Sequence, residues 1–577
     1  MRKPEGFKQT GTDRRSFLKG AALIGAGVAA TSVAAACTPD AKTEEPTTGT
    51  GGGTGGATAG TKYTTYSNPD EIGTVHETSN EETFDVVVVG TGVTGLSCAM
   101  LTAEQAPDAK VLLIDKMGGP GGNTNLAELN GPVPSMTWDE ALAAAMERND
   151  DVEMDLTDPF LYAHVLADKG KDLAWFYTER GVELADDLLF YKGHNGTLAV
   201  KGLVEQIETD PAYANVDYRL NTQAITLLTS DEHTVTGVQI KNTTSEEYTN
   251  VTAKAVMLAT GGMGTNLELL SFYTGEDVVE KSVKFGQGQD GDGHLMVEYT
   301  AHGHSKSVDP TPMWAVVKDM ALESALSCCI AMQKSGLYVN QAGLRFHDES
   351  FPKGAYPEVD HSMMQQGRVF SIVGQNMIDQ FQTEGSNAPA FYYFQVPTDL
   401  SEELAQVDSN PNIYVADTFE DLAEKIGLPV DAFVEQINRY EADAKAGTGD
   451  SEFGKDARLT VPLGDPPYYA GEIWSIMMQT NSGIRINTDC QVVDPYYVPI
   501  AGLYAGGIAV SGFNTSRYTG GTSQSVGLWS GCKAARVIVE NELGGTVADD
   551  WYGPKEYDGP YGDFMGMELL KPLPGQE

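Results

Sequence analysis

The chain has 577 residues, more than one small hydrophobic core requires, so we expect at least two domains. Hydrophobic residues make up 41% of the chain, which is enough for a globular body, and 81 acidic against 38 basic residues give a formal charge of -43. Such a surface repels phosphate backbones and anionic lipid headgroups, which argues against nucleic-acid binding.

The first 37 residues have the composition of an export signal. Residues 14–19 (RRSFLK) resemble a twin-arginine motif, and the apolar run that follows, 21–36, is too short to span a bilayer. Ala34-Ala35-Ala36-Cys37 resembles a lipobox with Cys37 as the acylated residue, and plain cleavage after Ala36 is the alternative. Residues 38–80, rich in Thr, Gly, Pro and Glu, are predicted to be a flexible linker. We therefore expect a protein at the cell surface or the periplasmic face of the membrane, touching the membrane only through a lipid anchor if Cys37 is acylated.

The spacing of the other cysteines argues against a built-in metal or haem centre. None of them stands in C-x-x-C or C-x-x-C-H spacing, and the nine histidines show no metal-ligand spacing. We expect no metal site, no c-type haem and no iron–sulfur cluster.

A dinucleotide-binding pattern begins at residue 84. The apolar run 84–89 (FDVVVV) predicts a strand, the sequence GTGVTG at 90–95 predicts a glycine turn that opens a helix, and KVLLID predicts a second strand that ends at Asp115. Strand, glycine turn, helix, strand and acid in this order are typical of a dinucleotide site.

Each position of this pattern has a physical task. Gly90 permits the tight turn, Gly92 lets a pyrophosphate approach the backbone, and Gly95 lets the helix pack closely on the sheet. The helix N-terminus supplies amide donors and a positive dipole to the phosphates. Asp115 is expected to accept hydrogen bonds from ribose hydroxyls.

Later motifs resemble the fumarate reductase/succinate dehydrogenase flavoprotein family. A second glycine loop contains GGNT at 121–124, and further family-like segments follow at 258–264 (LATGGMG), 288–296 (GQDGDGHLM), 337–346 (LYVNQAGLRF) and 502–527. The similarity extends over about residues 84–545, nearly all of the chain after the linker.

The resemblance implies an α/β fold, in which a Rossmann-type FAD-binding domain is interrupted by an α+β capping domain. We expect the FAD-binding domain at 81–308 and 477–545, the cap at 309–476, and a C-terminal tail at 546–577. FAD is the implied cofactor. The residues expected to bind it are Gly90, Gly92, Val93, Thr94, Gly95, Asp115, Lys116, Gly122, Asn123, Thr124, Ala224, Thr260, Gly261, Asp292, Gly507 and Ser523. The helix that starts near Thr522 and Ser523 is expected to aim its N-terminus at the N1–C2=O edge of the flavin.

The family's substrate-binding residues are mostly replaced. The family's two histidines fall here on Asp309 and Gln479, and its donor arginine falls on Lys353. Its proton-relay glutamate and arginine fall on Cys329 and Met332, and a further glutamate falls on Ile508. Only Arg517 matches an arginine of the family. One more residue than in the family pattern separates it from Gly520-Gly521. A bidentate arginine–carboxylate contact is worth roughly 1.5–3 kcal/mol, so fumarate is expected to be a poor substrate, and the pocket is expected to take a larger, less anionic molecule.

Three residues are the catalytic candidates. Lys353 stands where the family has its proton-donating arginine and is either a proton donor, a substrate anchor or a surface lysine. Tyr518 is the rival, because RYTGGT loosely resembles a loop of 3-ketosteroid dehydrogenases whose tyrosine binds the substrate carbonyl. Arg517 or Tyr518 would hold the carbonyl of the substrate and stabilise the developing enolate.

The predicted function is an exported FAD-dependent oxidoreductase that reduces an activated C=C bond of a small molecule, an enoate or enone. Since the sequence shows no haem or iron–sulfur motif, the electrons are expected from an external donor such as a membrane cytochrome or an FMN-binding protein. Two alternatives stay open: a ketosteroid-type dehydrogenase that runs the chemistry in the other direction, and a catalytically idle flavoprotein that serves as a binding or electron-relay module.

Overall fold

The structure is a computed structural model. It describes residues 71–128, 137–150, 158–167, 175–184, 191–192, 195–231, 233–274, 281–305, 310–321, 324–350, 362–363, 365–387, 397–480, 483–513 and 522–547.

The elements alternate between strands and helices along much of the chain. The strands are β1 (Glu81–Thr83), β2 (Val86–Val89), β3 (Val111–Ile114), β4 (Val216–Arg219), β5 (Thr222–Asp231), β6 (Thr234–Asn242), β7 (Tyr248–Thr252), β8 (Ala255–Leu258), β9 (Ser282–Lys284), β10 (Pro310–Val317), β11 (Leu337–Asn340), β12 (Val369–Gly374), β13 (Ile413–Ala416), β14 (Tyr468–Thr480), β15 (Gln491–Val493) and β16 (Pro499–Ala505). The α-helices are α1 (Val93–Gln105), α2 (Trp138–Asp150), α3 (Pro159–Ala167), α4 (Gly196–Thr209), α5 (Leu267–Thr274), α6 (Asp292–Thr300), α7 (Ala325–Met332), α8 (Gln375–Glu384), α9 (Ser401–Leu404), α10 (Phe419–Ile426), α11 (Val430–Ala446) and α12 (Thr522–Asn541). Short 3-10 helices lie at Gly122–Leu126, Pro211–Tyr213, Val407–Ser409 and Gly507–Ala509.

The first sheet carries the glycine turn. Its strand order is β1-β7-β6-β16-β8-β2-β3-β4, with β15 paired to β16 and β5 to β6. The strands from β16 to β4 run parallel. Every residue of β2, β3 and β8 is buried, as expected for parallel strands covered on both faces, and this explains their unbroken apolar sequences.

Helices α1 and α12 pack on each other through small residues. A Cβ at Gly531 would lie 2.0 Å from the Ser97 Oγ and 2.4 Å from the backbone oxygen of Thr94. Only glycine permits this approach of the two helices, which brings the N-terminus of α12 beside the start of α1.

The second sheet belongs to the segment predicted as the cap. Its order is β10-β14-β12-β11, with β13 and β9 also paired to β14. A separate hydrophobic core extends from Ala315 to Ile476. The sheet also includes β9, before residue 309, and β14 continues to Thr480, so the two parts of the chain share strand β14; the domain limits stay a prediction.

The amphipathic segment 419–446 forms the two helices α10 and α11. Gly427 adopts φ +83° after α10, and Pro429 precedes the first residue of α11. The apolar residues on both helices, such as Leu422, Phe433 and Ile437, are buried in the cap core, in agreement with their helical spacing.

The cap interior also holds buried charges. The Arg345 guanidinium donates to Glu349 at 3.0 and 2.8 Å and to Asp450 at 3.0 Å twice. Lys455 Nζ donates to the Gly336 carbonyl at 2.6 Å and lies 3.4 Å from Glu349. These contacts hold the chain from Gly336 to Glu349, just ahead of the segment that carries Lys353.

Two further findings apply to the described residues. No helix among them combines the length and the apolar character needed to cross a membrane. No group of three or more His, Cys, Asp and Glu side chains in this part of the chain is arranged to hold a metal ion.

Candidate active site

A large cavity lies at the carboxyl ends of the parallel strands. The residues that directly follow β2, β3, β8 and β16 line it: Gly90, Asp115, Ala259 and Gly506. This is the edge of an open α/β sheet at which ligands bind. The space it encloses, open mouth included, is about 1570 Å³.

The glycine turn at the cavity leaves no room for side chains. Gly90 has φ +107°, and a Cβ there would lie 2.3 Å from the Ala259 carbonyl oxygen. A Cβ at Gly95 would lie 1.8 Å from the Gly90 carbonyl oxygen. Helix α1 begins after Gly92 without a side-chain cap, which leaves amide donors at its N-terminus for an anionic group.

Asp115 fixes the loops around this turn. Its Oδ2 accepts hydrogen bonds from the Thr91 amide at 3.0 Å and the Thr91 hydroxyl at 2.6 Å, and its Oδ1 accepts from the Met117 amide at 2.9 Å. Thr124 plays a comparable part, because its hydroxyl accepts from the Val93 amide at 3.0 Å. Both residues thereby hold the backbone that faces the cavity.

Lys116 is engaged by two carboxylates. Its Nζ lies 2.9 Å from Asp290 and 3.0 Å from Asp292, and Gln223 Nε2 donates to Asp292 at 3.2 Å. Burial alone would lower the pKa of Lys116, but Asp292 and Asp290 outweigh it and raise the pKa above its ordinary value. Lys116 is therefore a permanent cation whose charge is matched within the protein.

Two buried polar atoms point to a ligand. Thr260 Oγ1 and Gln289 Oε1 are buried, have no hydrogen-bond partner among the described residues, and belong to residues that line the cavity. Buried polar groups are seldom left unsatisfied. Together with the glycine cradle and the uncapped helix, these atoms form a donor and acceptor set that suits FAD.

The structure brings most of the residues expected to bind FAD to this one cavity. Fifteen of the sixteen line it, and the exception, Gly95, packs α1 against the glycine turn, as its expected task requires. Their contacts with the cofactor stay a prediction.

Sequence reasoning missed many other lining residues, among them Thr91, Gln289, Met478 and Gln524. Met478 contributes through its backbone: its carbonyl accepts from Asn123 Nδ2 at 3.1 Å and from Gln289 Nε2 at 3.2 Å. This ties the end of strand β14 to two cofactor loops. The pairing of β14 with the cap strands places Met478 there, which no local motif reveals.

The part of the cavity next to the cap, the cap end, is lined by residues of both parts of the chain. These are Trp314 of β10, Met478 and Gln479 of β14, and Ile508. Gln479 Nε2 donates to the Ser523 hydroxyl at 2.7 Å. Gln479 and Ile508 thus line the cavity, and their part in a substrate pocket stays a prediction.

Two other replacements do not line it. Cys329 and Met332 on α7 are buried in the cap core, at 0% and 4% exposure. The expectation that they shape the substrate pocket is wrong, because α7 is apolar and packs inward. Burial raises the pKa of the Cys329 thiol, so it stays protonated and inert.

The catalytic candidates Lys353, Arg517 and Tyr518 lie outside the described residues, as does Asp309. Their roles stay predictions.

Known proteins resemble this chain over most of its length. A family model described as an FAD binding domain matches residues 85–523. A vinyl phenol reductase of Lactiplantibacillus plantarum is 26% identical over 483 residues, which cover 79% of this chain and 97% of that protein. A urocanate reductase of Eggerthella lenta is 25% identical over 442 residues, 73% of this chain and 69% of that protein.

Solved structures share the fold. An open form of a flavocytochrome c3 fumarate reductase aligns with a TM-score of 0.57 at 22% identity and covers 79% of both chains. A 3-ketosteroid Δ1-dehydrogenase from Sterolibacterium denitrificans aligns with a TM-score of 0.60 at 17% identity, covering 80% of this chain and 100% of that one. The α/β fold with its interrupted FAD-binding domain is confirmed by these neighbours. The chain belongs to the FAD-binding family of the fumarate reductase type, and it is an FAD-dependent oxidoreductase that acts on CH–CH groups.

Proposed function

We propose that the protein reduces an activated C=C bond in a substrate that carries at most one carboxylate, an enoate or enone rather than fumarate. The observation that carries this proposal is the charge of the cavity. Among its described lining residues the one cation is Lys116, and both Asp290 and Asp292 hold it at 2.9 and 3.0 Å. A dicarboxylate needs cationic partners for both of its ends.

The cap end of the cavity supports the same substrate class. Trp314, Met478 and Ile508 present apolar surface there, and Gln479 is neutral where the family has a histidine. Apolar walls exclude water and favour an uncharged or singly charged organic molecule. The relatives are named for vinyl phenol, urocanate and digoxin, which agrees with a family whose substrates vary.

Bound FAD supplies hydride exchange with one carbon of the C=C bond. The chain supplies the rest. Ser523 and Gln524 offer polar side chains at the first turn of α12, and the apolar wall keeps water out. Lys353 is the candidate donor of a proton to the second carbon, and Arg517 or Tyr518 the candidate anchor of the carbonyl; Lys353 as an anchor alone is the competing role.

A substrate panel tests the proposal. The FAD-loaded protein is supplied with electrons from a reduced viologen dye, and kcat/KM is compared for fumarate, a cinnamate-like monocarboxylate, a vinyl phenol and a neutral enone. We expect fumarate to be at least ~10-fold worse than the best of the others, since its second carboxylate lacks a contact worth about 1.5–3 kcal/mol.

Each alternative has its own outcome in this panel. Fumarate among the best substrates would refute the proposal. Turnover only of a saturated ketosteroid with an oxidising dye would identify a dehydrogenase. No turnover of any compound by protein that retains FAD would favour the idle flavoprotein.

We also propose that the electrons come from a separate protein, since the sequence has no haem or iron–sulfur motif. A basic electron carrier suits the charge of -43. A membrane cytochrome or FMN-binding protein is the class expected. Salt tests it: the rate with the native donor should fall as ionic strength rises, whereas the rate with a neutral dye should not.

Export and anchoring form a further part of the proposal. Arg14→Lys with Arg15→Lys should keep the protein in the cytoplasm, and Cys37→Ser should release it from the membrane fraction. Unchanged fractionation of Cys37→Ser in the native host would remove the lipid anchor and leave export standing.

A further inference from the structure

A buried polar network reaches the cavity at the first turn of α12. Gln479 Nε2 donates to the Ser523 hydroxyl at 2.7 Å, and the Tyr191 hydroxyl donates to Gln524 Oε1 at 3.3 Å. Tyr191 in turn lies 2.9 Å, hydroxyl to hydroxyl, from Tyr177. Gln479 and both tyrosines are at most 4% exposed. Buried polar side chains are costly unless fully satisfied, so this network calls for an explanation.

The direction of these hydrogen bonds is informative. Because Ser523 accepts from Gln479, its own O–H is left to donate elsewhere. Because Gln524 accepts from Tyr191 through its oxygen, its N–H groups are left to donate as well. Both residues line the cavity, and both belong to the first turn of α12, where the helix dipole is positive.

The protonation of the tyrosines keeps this arrangement constant. Burial raises the pKa of Tyr191 and of Tyr177 far above the usual range. Both hydroxyls therefore remain donors over the working pH range, and the orientation of Gln524 does not vary with pH.

We infer that Gln479 and Tyr191 are positioning residues, which fix Ser523 and Gln524 as hydrogen-bond donors that stabilise the negative charge gained by FAD on reduction. This rests on the proposed function only in taking the flavin ring to lie at this end of the cavity. The family's histidine at the position of Gln479 binds substrate. Gln479 instead positions Ser523. Ser523 and Gln524 donate their hydrogen bonds at the N-terminus of α12. Gln479 and Tyr191 act on the flavin through these two residues and need not touch the cofactor.

The test is the reduction potential of bound FAD, measured without substrate. Each variant is equilibrated anaerobically with a reference dye while the flavin absorbance is followed, and the dissociation constant of oxidised FAD is measured separately. In Gln479→Leu or Tyr191→Phe, Ser523 or Gln524 loses the partner that orients it, and one hydrogen bond to the flavin is weakened. Binding of reduced FAD should therefore weaken relative to binding of oxidised FAD by roughly three- to tenfold. For a two-electron couple this is a fall of about 15–30 mV.

A matched control removes another buried tyrosine hydroxyl. Tyr213 is buried, its hydroxyl bonds to Glu104, and it does not line the cavity. Tyr213→Phe should leave the reduction potential of FAD unchanged, whatever its effect on the stability of the protein. This control distinguishes a general loss of stability from the effect of positioning Ser523 and Gln524.

A double-mutant cycle shows whether Gln479 acts through Ser523. In a Ser523→Ala background, Gln479→Leu should cause no further shift. A full additional shift would mean that Gln479 contacts the ligand directly, and an unchanged potential in both Gln479→Leu and Tyr191→Phe would overturn the inference. If Gln479→Leu does not retain FAD, Tyr191→Phe decides alone. Potentials that shift as expected in a protein that reduces no alkene would refute the proposed function and leave this inference standing.

Discussion

The two ends of the cavity are built by different means. The nucleotide end depends mainly on backbone: the tight turn at Gly90, the close contact of Gly95 in α1 with that turn, and a helix start after Gly92 without a side-chain bond from its N-cap residue. The cap end is made of side chains from distant segments, such as Trp314 and Gln479. A ligand common to a whole family is held by backbone geometry, and a ligand that varies is met by side chains, which can be exchanged without disturbing the fold.

Both interiors contain buried charges, but in different places. The core below the glycine turn includes the buried apolar strands β2, β3 and β8, and its ion pairs of Lys116 with Asp290 and Asp292 involve residues that line the cavity. The cap core contains, besides its apolar residues, the buried group of Arg345, Glu349, Asp450 and Lys455, with side chains at most 1% exposed. Removing one member of such a group leaves a buried charge unpaired, so the stability of the cap depends on these individual side chains.

The largest effect is expected from a single methyl group at the nucleotide end. In Gly95→Ala the new Cβ would lie 1.8 Å from the Gly90 carbonyl oxygen. Because the contact is with a backbone atom and not with a movable side chain, the whole turn must shift. The dissociation constant of FAD should then rise by roughly 100-fold, which corresponds to the upper range of the free-energy cost of overpacking. The measurement is flavin content and FAD titration of the purified protein.

Gly119→Ala is the control for this change. It lies in the second glycine loop, and a Cβ there has nothing within 4 Å. It should retain FAD at the level of the unaltered protein. Full flavin content in Gly95→Ala would show that the nucleotide end does not depend on its backbone shape.

A second prediction concerns the charged interior of the cap. Arg345→Met leaves Glu349 and Asp450 buried without their main partner, which should cost about 3–5 kcal/mol in free energy of unfolding. Arg368 offers a contrast, because its bridge to Glu472 is half exposed, at 51% for the arginine, and Arg368→Met should cost less than about 1 kcal/mol. Urea unfolding of the FAD-bound protein measures both, and equal losses would contradict the distinction.

The third prediction addresses the substrate end. If Lys353 donates the proton, Lys353→Met should lower kcat by ~100-fold, the usual contribution of a general acid, while FAD content stays unchanged. Lys445→Met, at a surface site with 70% exposure, is the control and should change nothing. A rise in KM alone would make Lys353 an anchor. No change in either constant would shift the role to Tyr518, with Tyr518→Phe as the next variant.

The contrast between the two ends also explains what the sequence predicted. Gly90, Gly92 and Asp115 were predicted as FAD-binding residues because they belong to one continuous strand–turn–helix–strand motif with a typical spacing. Gln289 and Gln524 were missed although they stand in the family-like segments 288–296 and 502–527, because these motifs do not show which of their polar residues line the cavity. Cys329 and Met332 were placed at the substrate site by their position in the family pattern, yet α7 turns them into the core. Side-chain sites of this kind follow from strand pairing and helix orientation, which no local pattern contains.

The smallest effect is expected in the acid stability of the cap. Burial alone would raise the pKa values of Glu349 and Asp450, but Lys455 and Arg345 outweigh it at Glu349, and Arg345 does so at Asp450, and hold both below the ordinary range. In the unfolded chain these carboxylates take up protons near pH 4. The unfolded state therefore binds more protons than the folded state once the pH falls below about 5, and the free energy of unfolding should fall by up to ~1.4 kcal/mol per pH unit for each group.

Asp450→Asn should flatten this dependence, since the amide takes up no proton in either state. The comparison is the slope of the free energy of unfolding against pH between about pH 5 and pH 3, not its absolute value, because the substitution also weakens one contact of Arg345. A slope equal to that of the unaltered protein would show that Asp450 has the same pKa in the folded and unfolded states. The buried charges of the cap would then be held without an electrostatic preference for the ionised carboxylate.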